Sequence, residues 1–187
     1  MILKKINAVT AILSVFALLA HMGYNAYLYL SFSYNETVSG ITTLLVVVFV
    51  CIHAVCGMCS VFLLGDGTRL DNYRKQNKGV ILQRVSAALI FPLLIIHMKT
   101  FDLLKNSAEK SQWFLFGLLI FIQILFYAVV LVHIATSFSK AFITLGVLSD
   151  RNKQKILDRL VYVFCTMVLV FMVVAVVRGQ LILFLPK

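Results

Sequence analysis

The chain contains four histidines, and none of them lies in a polar segment of the sequence. His21, His53, His97 and His133 fall one each into the first four of its apolar stretches. Imidazole is the commonest metal ligand among protein side chains. A single histidine inside a membrane helix is more often a hydrogen-bonding group between helices than a ligand. With four histidines, one per stretch, their depths in the membrane can be compared to see whether two of them lie at the same level.

The apolar stretches that carry these histidines are long enough to cross a membrane. They cover residues 6–31, 41–64, 80–101, 113–138 and 158–185. A hydrocarbon core of about 30 Å needs about 20 helical residues. Of the 187 residues, 61% are hydrophobic and 13% charged, whereas about a quarter of a soluble domain is charged. We therefore predict an all-α membrane protein, a single transmembrane domain of residues 1–187 with five helices.

The formal net charge of +10 predicts an orientation in the membrane. A basic chain can bind nucleic acid, but no nucleic-acid-binding motif is present, and cytoplasmic loops of membrane proteins collect Lys and Arg. With the N-terminus in the cytoplasm and the C-terminus outside, twelve such residues lie inside and five outside. The inner ones are Lys4, Lys5, Arg69, Arg74, Lys75, Lys78, Arg84, Lys140, Arg151, Lys153, Lys155 and Arg159, and the outer ones are Lys99, Lys105, Lys110, Arg178 and Lys187. We predict a multi-pass protein of the cytoplasmic membrane.

The depth of each histidine follows from the helical rise of 1.5 Å per residue. Measured from the inner face, His21 lies at about 22 Å and His97 at about 26 Å. His53 lies at about 16 Å and His133 at about 10 Å. The four therefore sort into an outer pair and an inner pair. Each pair joins two helices of the same direction, as expected for diagonal partners in an antiparallel four-helix bundle.

Two imidazoles facing each other at one depth can hold the iron of a planar macrocycle. Two neutral nitrogen ligands in an apolar shell suit haem iron, whereas zinc or copper wants three or four ligands at one depth. Cys56 and Cys59 would lie in the middle of a helix, where they are better explained as buried apolar residues. We predict that the first four helices form a haem-binding bundle with two haem b groups. Unrelated hydrogen-bonding histidines remain the alternative.

Five further residues are candidates for contact with such a cofactor. Gly57 and Ser137 each follow a histidine by four positions, so that they share its helix face and leave room for a porphyrin edge. Gln83 and Arg84 near the inner side, and Arg178 near the outer side, could bind the anionic propionates. The arginines are equally explained as interfacial side chains that reach toward water.

Three segments carry a resemblance to a known family. NKGVILQRVSAALIFPLLIIHM, CIHAVCGMCSVFLL and VHIATSFSKAFITLGVLSDRNKQKI resemble helices of the di-haem cytochrome b membrane-anchor subunit of succinate dehydrogenases and fumarate reductases. The similarity extends from His21 to Arg178. There are departures, since Ser137 and Ser139 stand where the family has a glycine and an aromatic residue, and Leu131 where some members have a proton-transferring glutamate.

The resemblance implies a function that composition cannot show. Family members pair the first histidine with the third and the second with the fourth. They anchor a flavoprotein containing FAD and an iron–sulfur subunit on the cytoplasmic side, and they exchange electrons with a membrane quinone, usually menaquinone. The chain would be one subunit of a succinate:quinone oxidoreductase, without dicarboxylate chemistry of its own. Glu36 matches in placement an acidic residue that some relatives use for proton exchange with quinone; the alternative is a solvated loop acid.

Two other functions remain open at the level of sequence. The same di-haem bundle could serve another respiratory oxidoreductase, such as a formate dehydrogenase or a hydrogenase. A haem-free transporter or structural bundle would need no cofactor at all.

Overall fold

A computed structural model describes residues 2–63 and 74–184, with side chains left out at 74–77. The described residues form five α-helices and contain no strand. These are α1 (Ile2–Ser31), α2 (Glu36–Phe62), α3 (Arg74–Glu109), α4 (Trp113–Thr144) and α5 (Arg151–Phe184). All five are long and apolar enough to cross a membrane. The predicted all-α membrane fold with five transmembrane helices is confirmed.

The helices extend beyond the predicted apolar spans. α3 begins at Arg74 and continues to Glu109, α4 continues to Thr144, and α5 begins at Arg151. Apolar composition marks only the part of a helix that lies in hydrocarbon, and backbone hydrogen bonds continue the helix through polar turns on either side. The predicted ends at 64 and 185 lie outside the described residues, as do Arg69, Lys187 and the side chains of Arg74 and Lys75.

The turn between α1 and α2 is held by side chains at both of its ends. Tyr24 Oη donates to the Asn35 carbonyl at 2.8 Å and accepts from the Asn35 N–H at 2.7 Å. Asn35 caps α2, because its side-chain oxygen accepts from the Val38 N–H. Glu36 is therefore the first residue of α2 rather than a loop residue before it. Its carboxylate is favourably placed at the positive end of the helix dipole.

The helices pack in the spatial order α2, α1, α4, α3, with α5 lying across α1 and α4. Neither diagonal pair, α1 with α3 or α2 with α4, makes close backbone contact in the described part of the chain. The same holds for α2 and α3, so the bundle is open along that side. The main core lies where α1, α4 and α5 meet, around Met22, Ala26, Met172 and Ala175. Of the first four helices, α2 and α3 are consequently the ones with the least protein around them.

α1 and α5 pack closely at Gly179. A Cβ atom there would lie 2.5 Å from Cδ1 and 2.6 Å from Cβ of Tyr29. Small residues allow membrane helices to pack this closely. We expect Gly179→Ala to lower the thermal stability of the purified protein, because displacing Tyr29 costs about 1–3 kcal/mol. Gly23→Ala is the control, since its Cβ would meet nothing within 4 Å. Equal melting temperatures for the two variants would contradict the expectation.

Candidate functional site

The inner histidines, His53 on α2 and His133 on α4, face each other. Their ring centroids are 6.4 Å apart and the ring planes are inclined by 59°. A metal ion bonded to one nitrogen of each of two imidazoles, at about 2 Å per bond, holds the ring centres about 6 Å apart. The helices bring the two rings together from opposite corners of the bundle. Their separation suits one metal ion between them.

Neighbouring groups set which ring nitrogen carries the hydrogen in both inner histidines. His133 Nδ1 lies 3.0 Å from the Gln83 carbonyl and 3.2 Å from Ser86 Oγ. His53 Nδ1 lies 3.3 Å from the Asn7 carbonyl. A carbonyl can only accept, so each Nδ1 donates and each Nε2 keeps its lone pair. Among the described residues neither Nε2 has a hydrogen-bond partner. Both rings therefore offer the neutral donor nitrogen that a metal needs.

Among the described residues, no third potential metal ligand completes a group with the two inner histidines. In the described ranges no group of three or more His, Cys, Asp or Glu residues could hold a metal ion. Cys56 and Cys59 are free thiols on α2. Zinc takes three or four protein ligands, whereas haem iron takes its equatorial ligands from the macrocycle and needs one or two from the protein. The donor set fits a haem better than a bare ion.

Two small residues, Gly57 and Ser137, lie beside the inner histidines. Gly57 is half-buried, yet a Cβ added there would meet only Asn7 Oδ1, at 3.8 Å. Ser137, one turn after His133, donates from Oγ to the His133 carbonyl at 2.6 Å and so folds back onto its own helix. Both small residues leave the face beside the histidines clear. The open side between α2 and α3 adjoins this region.

A cation and two unpaired polar atoms lie toward the inner end of the same region. Lys140 Nζ donates to Gln83 Oε1 at 2.7 Å and to the Gly79 carbonyl at 3.3 Å. Asn7 Oδ1 and Ser60 Oγ are buried and have no hydrogen-bond partner among the described residues. None of these three residues was predicted to belong to the site. The signal for Lys140 and Ser60 was their spacing, since each follows a histidine by seven residues and thus shares its helix face.

The outer histidines are arranged differently. Unlike the inner pair, the His21 and His97 rings are not in contact in the described part of the chain. Asn25 Nδ2 donates to His21 Nε2 at 3.0 Å and to the His21 carbonyl at 2.9 Å. Because Asn25 donates, His21 Nε2 holds the lone pair and Nδ1 the hydrogen, with Thr43 Oγ1 3.5 Å away from Nδ1.

His97 packs against two aromatic rings of α4. It stacks on Phe126 at a centroid distance of 4.7 Å and lies edge-on to Tyr127 at 5.9 Å. His97 Nδ1 is buried and has no hydrogen-bond partner. A bound macrocycle at this level would displace the Asn25 contact with His21 Nε2. Aromatic residues in an apolar helix carry no signal that could have identified Phe126 or Tyr127 from the sequence.

The other predicted site residues lie on α2, α3 and α5. Arg84 is half-buried on α3, one residue after Gln83. Arg178 is exposed, and its Nη1 donates to the Leu30 carbonyl at 3.4 Å, which links α5 to the end of α1. Glu36 is exposed in the first turn of α2. Among the predicted cofactor contacts, Gln83, Gly57 and Ser137 adjoin an inner histidine.

Comparisons with known proteins identify no relative of this chain. No protein-family profile matches it, and no curated protein and no solved structure is significantly similar to it. The histidine geometry and the contacts around it are therefore the basis for a functional conclusion.

Proposed function

We propose that this chain is the membrane-anchor cytochrome b subunit of a succinate:quinone oxidoreductase, a succinate dehydrogenase or a fumarate reductase. It would bind one haem b between His53 and His133 and a second between His21 and His97. The observation that carries the proposal is the inner ring pair, 6.4 Å apart and with each Nδ1 directed at a carbonyl. Bound haem iron supplies the one-electron chemistry that these side chains lack.

The residues around the inner histidines have separate roles in this proposal. The Asn7 and Gln83 carbonyls orient the two rings and raise the basicity of each Nε2. Gly57 and Ser137 keep the adjoining space open. Lys140, with Asn7 and Ser60, presents charge and polar groups to the propionates. On the outer side Arg178 is the corresponding cation, and we assign proton exchange with the quinone to Glu36.

The charge of Lys140 gives a testable consequence. We expect Lys140→Gln to lower the midpoint potential of the inner haem by tens of millivolts, because removing a nearby positive charge stabilises the oxidised, more positive iron by on the order of 1 kcal/mol. A redox titration of the intact complex measures this. Lys110→Gln is the control, since Lys110 lies between α3 and α4 at the other end of the bundle. Potentials that respond equally to both substitutions would argue against a role for Lys140.

The partners follow from the same proposal. The chain would sit in the cytoplasmic membrane with its N-terminus inside and its C-terminus outside. A flavoprotein carrying FAD and an iron–sulfur subunit would dock on the cytoplasmic side. Electrons would pass between them and a membrane quinone, with menaquinone the first candidate. The chain by itself would carry out no dicarboxylate chemistry.

The deciding experiment is purification of the tagged chain from its native membrane, followed by a dithionite-reduced minus oxidised visible spectrum. We expect sharp b-type bands and a co-purifying flavoprotein. Freshly purified protein without b-type bands would refute the proposal and favour a haem-free bundle. Bands accompanied by a molybdenum or nickel subunit would keep the cytochrome and assign it to a formate dehydrogenase or hydrogenase.

A further inference from the structure

Three buried polar side chains form a hydrogen-bonded chain beside His97. Gln180 Nε2 on α5 donates to Gln123 Oε1 on α4 at 2.7 Å, and Gln123 Nε2 donates to Tyr127 Oη at 2.8 Å. Gln180 is 0% exposed, Gln123 4% and Tyr127 5%. Polar groups placed this deeply are costly unless they are hydrogen-bonded, so each atom of the chain needs a partner.

Two buried atoms, one at the Gln180 end of these hydrogen bonds and one beside Tyr127, have no partner among the described residues. Gln180 Oε1 has no hydrogen-bond partner at one end. At the other end His97 Nδ1 has none, although the Tyr127 ring lies edge-on to the His97 ring. Tyr127 Oη accepts one hydrogen bond from Gln123 and still has its own hydrogen and a free lone pair. When the imidazole turns toward this hydroxyl, the hydroxyl can serve His97 Nδ1 as a donor or as an acceptor.

The hydrogen bonds that link Gln180, Gln123 and Tyr127 can run in either direction. Turning both amide groups over exchanges their nitrogen and oxygen atoms, so that Tyr127 Oη donates to Gln123 Oε1 and Gln123 Nε2 donates to Gln180 Oε1. Each direction makes two hydrogen bonds and leaves one terminal amide atom of Gln180 unpaired. The two glutamines therefore give neither direction an advantage. The group that bonds to Tyr127 at the other end decides between them.

We propose that Tyr127 is a positioning residue for His97, whose hydroxyl bonds to His97 Nδ1 and sets which ring nitrogen carries the hydrogen. In the direction seen here the hydroxyl hydrogen is free to donate to Nδ1, which leaves the hydrogen on Nε2. In the reversed direction the oxygen accepts from Nδ1–H, which leaves the lone pair on Nε2. The hydrogen bonds through Gln123 and Gln180 are compatible with a hydrogen on either nitrogen of the His97 ring.

His97 differs in this respect from the other three histidines. The Asn7 and Gln83 carbonyls hold the hydrogen on Nδ1 in His53 and His133, and the Asn25 amide does so in His21. Only His97 has neighbours that allow either form. If the proposed function holds, ligation of iron through Nε2 requires the reversed direction, and Tyr127 supplies the acceptor that a ligating histidine needs for its other nitrogen.

The test uses the full-length, haem-free chain in lipid bilayers with isotope-labelled histidine. Solid-state nuclear magnetic resonance reads the two ring nitrogens of His97, which are assigned by their loss in His97→Gln. We expect wild-type Nδ1 to be hydrogen-bonded, and Tyr127→Phe to move its signal while those of the other histidines stay in place. Tyr29→Phe, which removes a neighbouring phenol hydroxyl, is expected to leave His97 unchanged.

Two outcomes would overturn the inference. One is a wild-type His97 Nδ1 signal without hydrogen bonding, which decides the matter even if Tyr127→Phe does not fold. The other is an identical His97 spectrum in wild type and Tyr127→Phe. That result is expected if the hydrogen bonds of Gln180, Gln123 and Tyr127 only hold α5 against α4.

In the assembled complex we expect Tyr127→Phe to weaken outer-haem retention by about 10–100-fold. A wild-type protein without haem would refute the proposed function while the magnetic resonance result still decides this inference.

Discussion

Replacing His133 by alanine is expected to remove the inner haem and leave the outer one in place. Without its imidazole the haem would lose one of its two protein ligands, and the described residues contain no group of three or more His, Cys, Asp or Glu that could hold a metal instead. The haem-to-protein ratio should fall from two to one. A redox titration should lose one of its two components. Ser137→Ala is a matched control on the same helix face, because the Ser137 hydroxyl bonds only within α4.

Combining substitutions tests the pairing itself. If His53 and His133 share one iron, His53→Ala should remove the same spectral component as His133→Ala, and the double variant should lose no more than either single one. His21→Ala combined with His133→Ala should remove both haems. Circular dichroism should show five-helix content retained throughout. Single variants at His53 and His133 that remove different components would show that the two do not share a metal.

Filling the space beside Gly57 is expected to block the inner site without touching a ligand. Gly57→Leu places a branched side chain on the His53 face, where an added Cβ would meet only Asn7 Oδ1, at 3.8 Å. We expect the haem-free protein to fold with little change in thermal stability, because the first added carbon makes no close contact with the protein. Inner-haem affinity should fall by tenfold or more, equivalent to about 1.4 kcal/mol. Visible spectroscopy with haem titration measures both haems separately.

The controls for Gly57 separate cofactor blockage from a general effect of bulk in a membrane helix. Gly117→Leu introduces the same side chain at an exposed position of α4, where a Cβ would meet nothing within 4 Å. Gly57→Ala should have an effect between those of glycine and leucine. Full haem occupancy in Gly57→Leu would mean that the space beside His53 is not used by a cofactor.

The number of membrane-spanning helices, and the height of each residue along its helix, could be predicted from sequence. Both depend on quantities that add up residue by residue within one segment. Apolar length decides whether a segment crosses the membrane, and a constant helical rise converts residue number into height. His53 and His133 were thus predicted to share a level, and the structure brings their rings together. Helix ends were predicted less well. Glu36 and Arg151 begin helices outside the apolar spans, since composition does not mark where backbone hydrogen bonding stops.

Tertiary structure alone decided how each helix is rotated about its own axis. A helix in lipid is apolar on its outer face as well as toward its neighbours, so hydrophobic periodicity does not reveal which side chains point inward. For this reason the sequence pattern does not predict that the Asn7 and Gln83 carbonyls contact the inner histidines. It also does not predict the hydrogen bonds that link Gln180, Gln123 and Tyr127. The close contact of Gly179 with Tyr29 is of the same kind, because it depends on two helices that are distant in sequence meeting at one height. The sequence by itself determined which segments are long and apolar enough to cross a membrane and where along its helix each imidazole lies, and the packing of the helices determined what each imidazole faces.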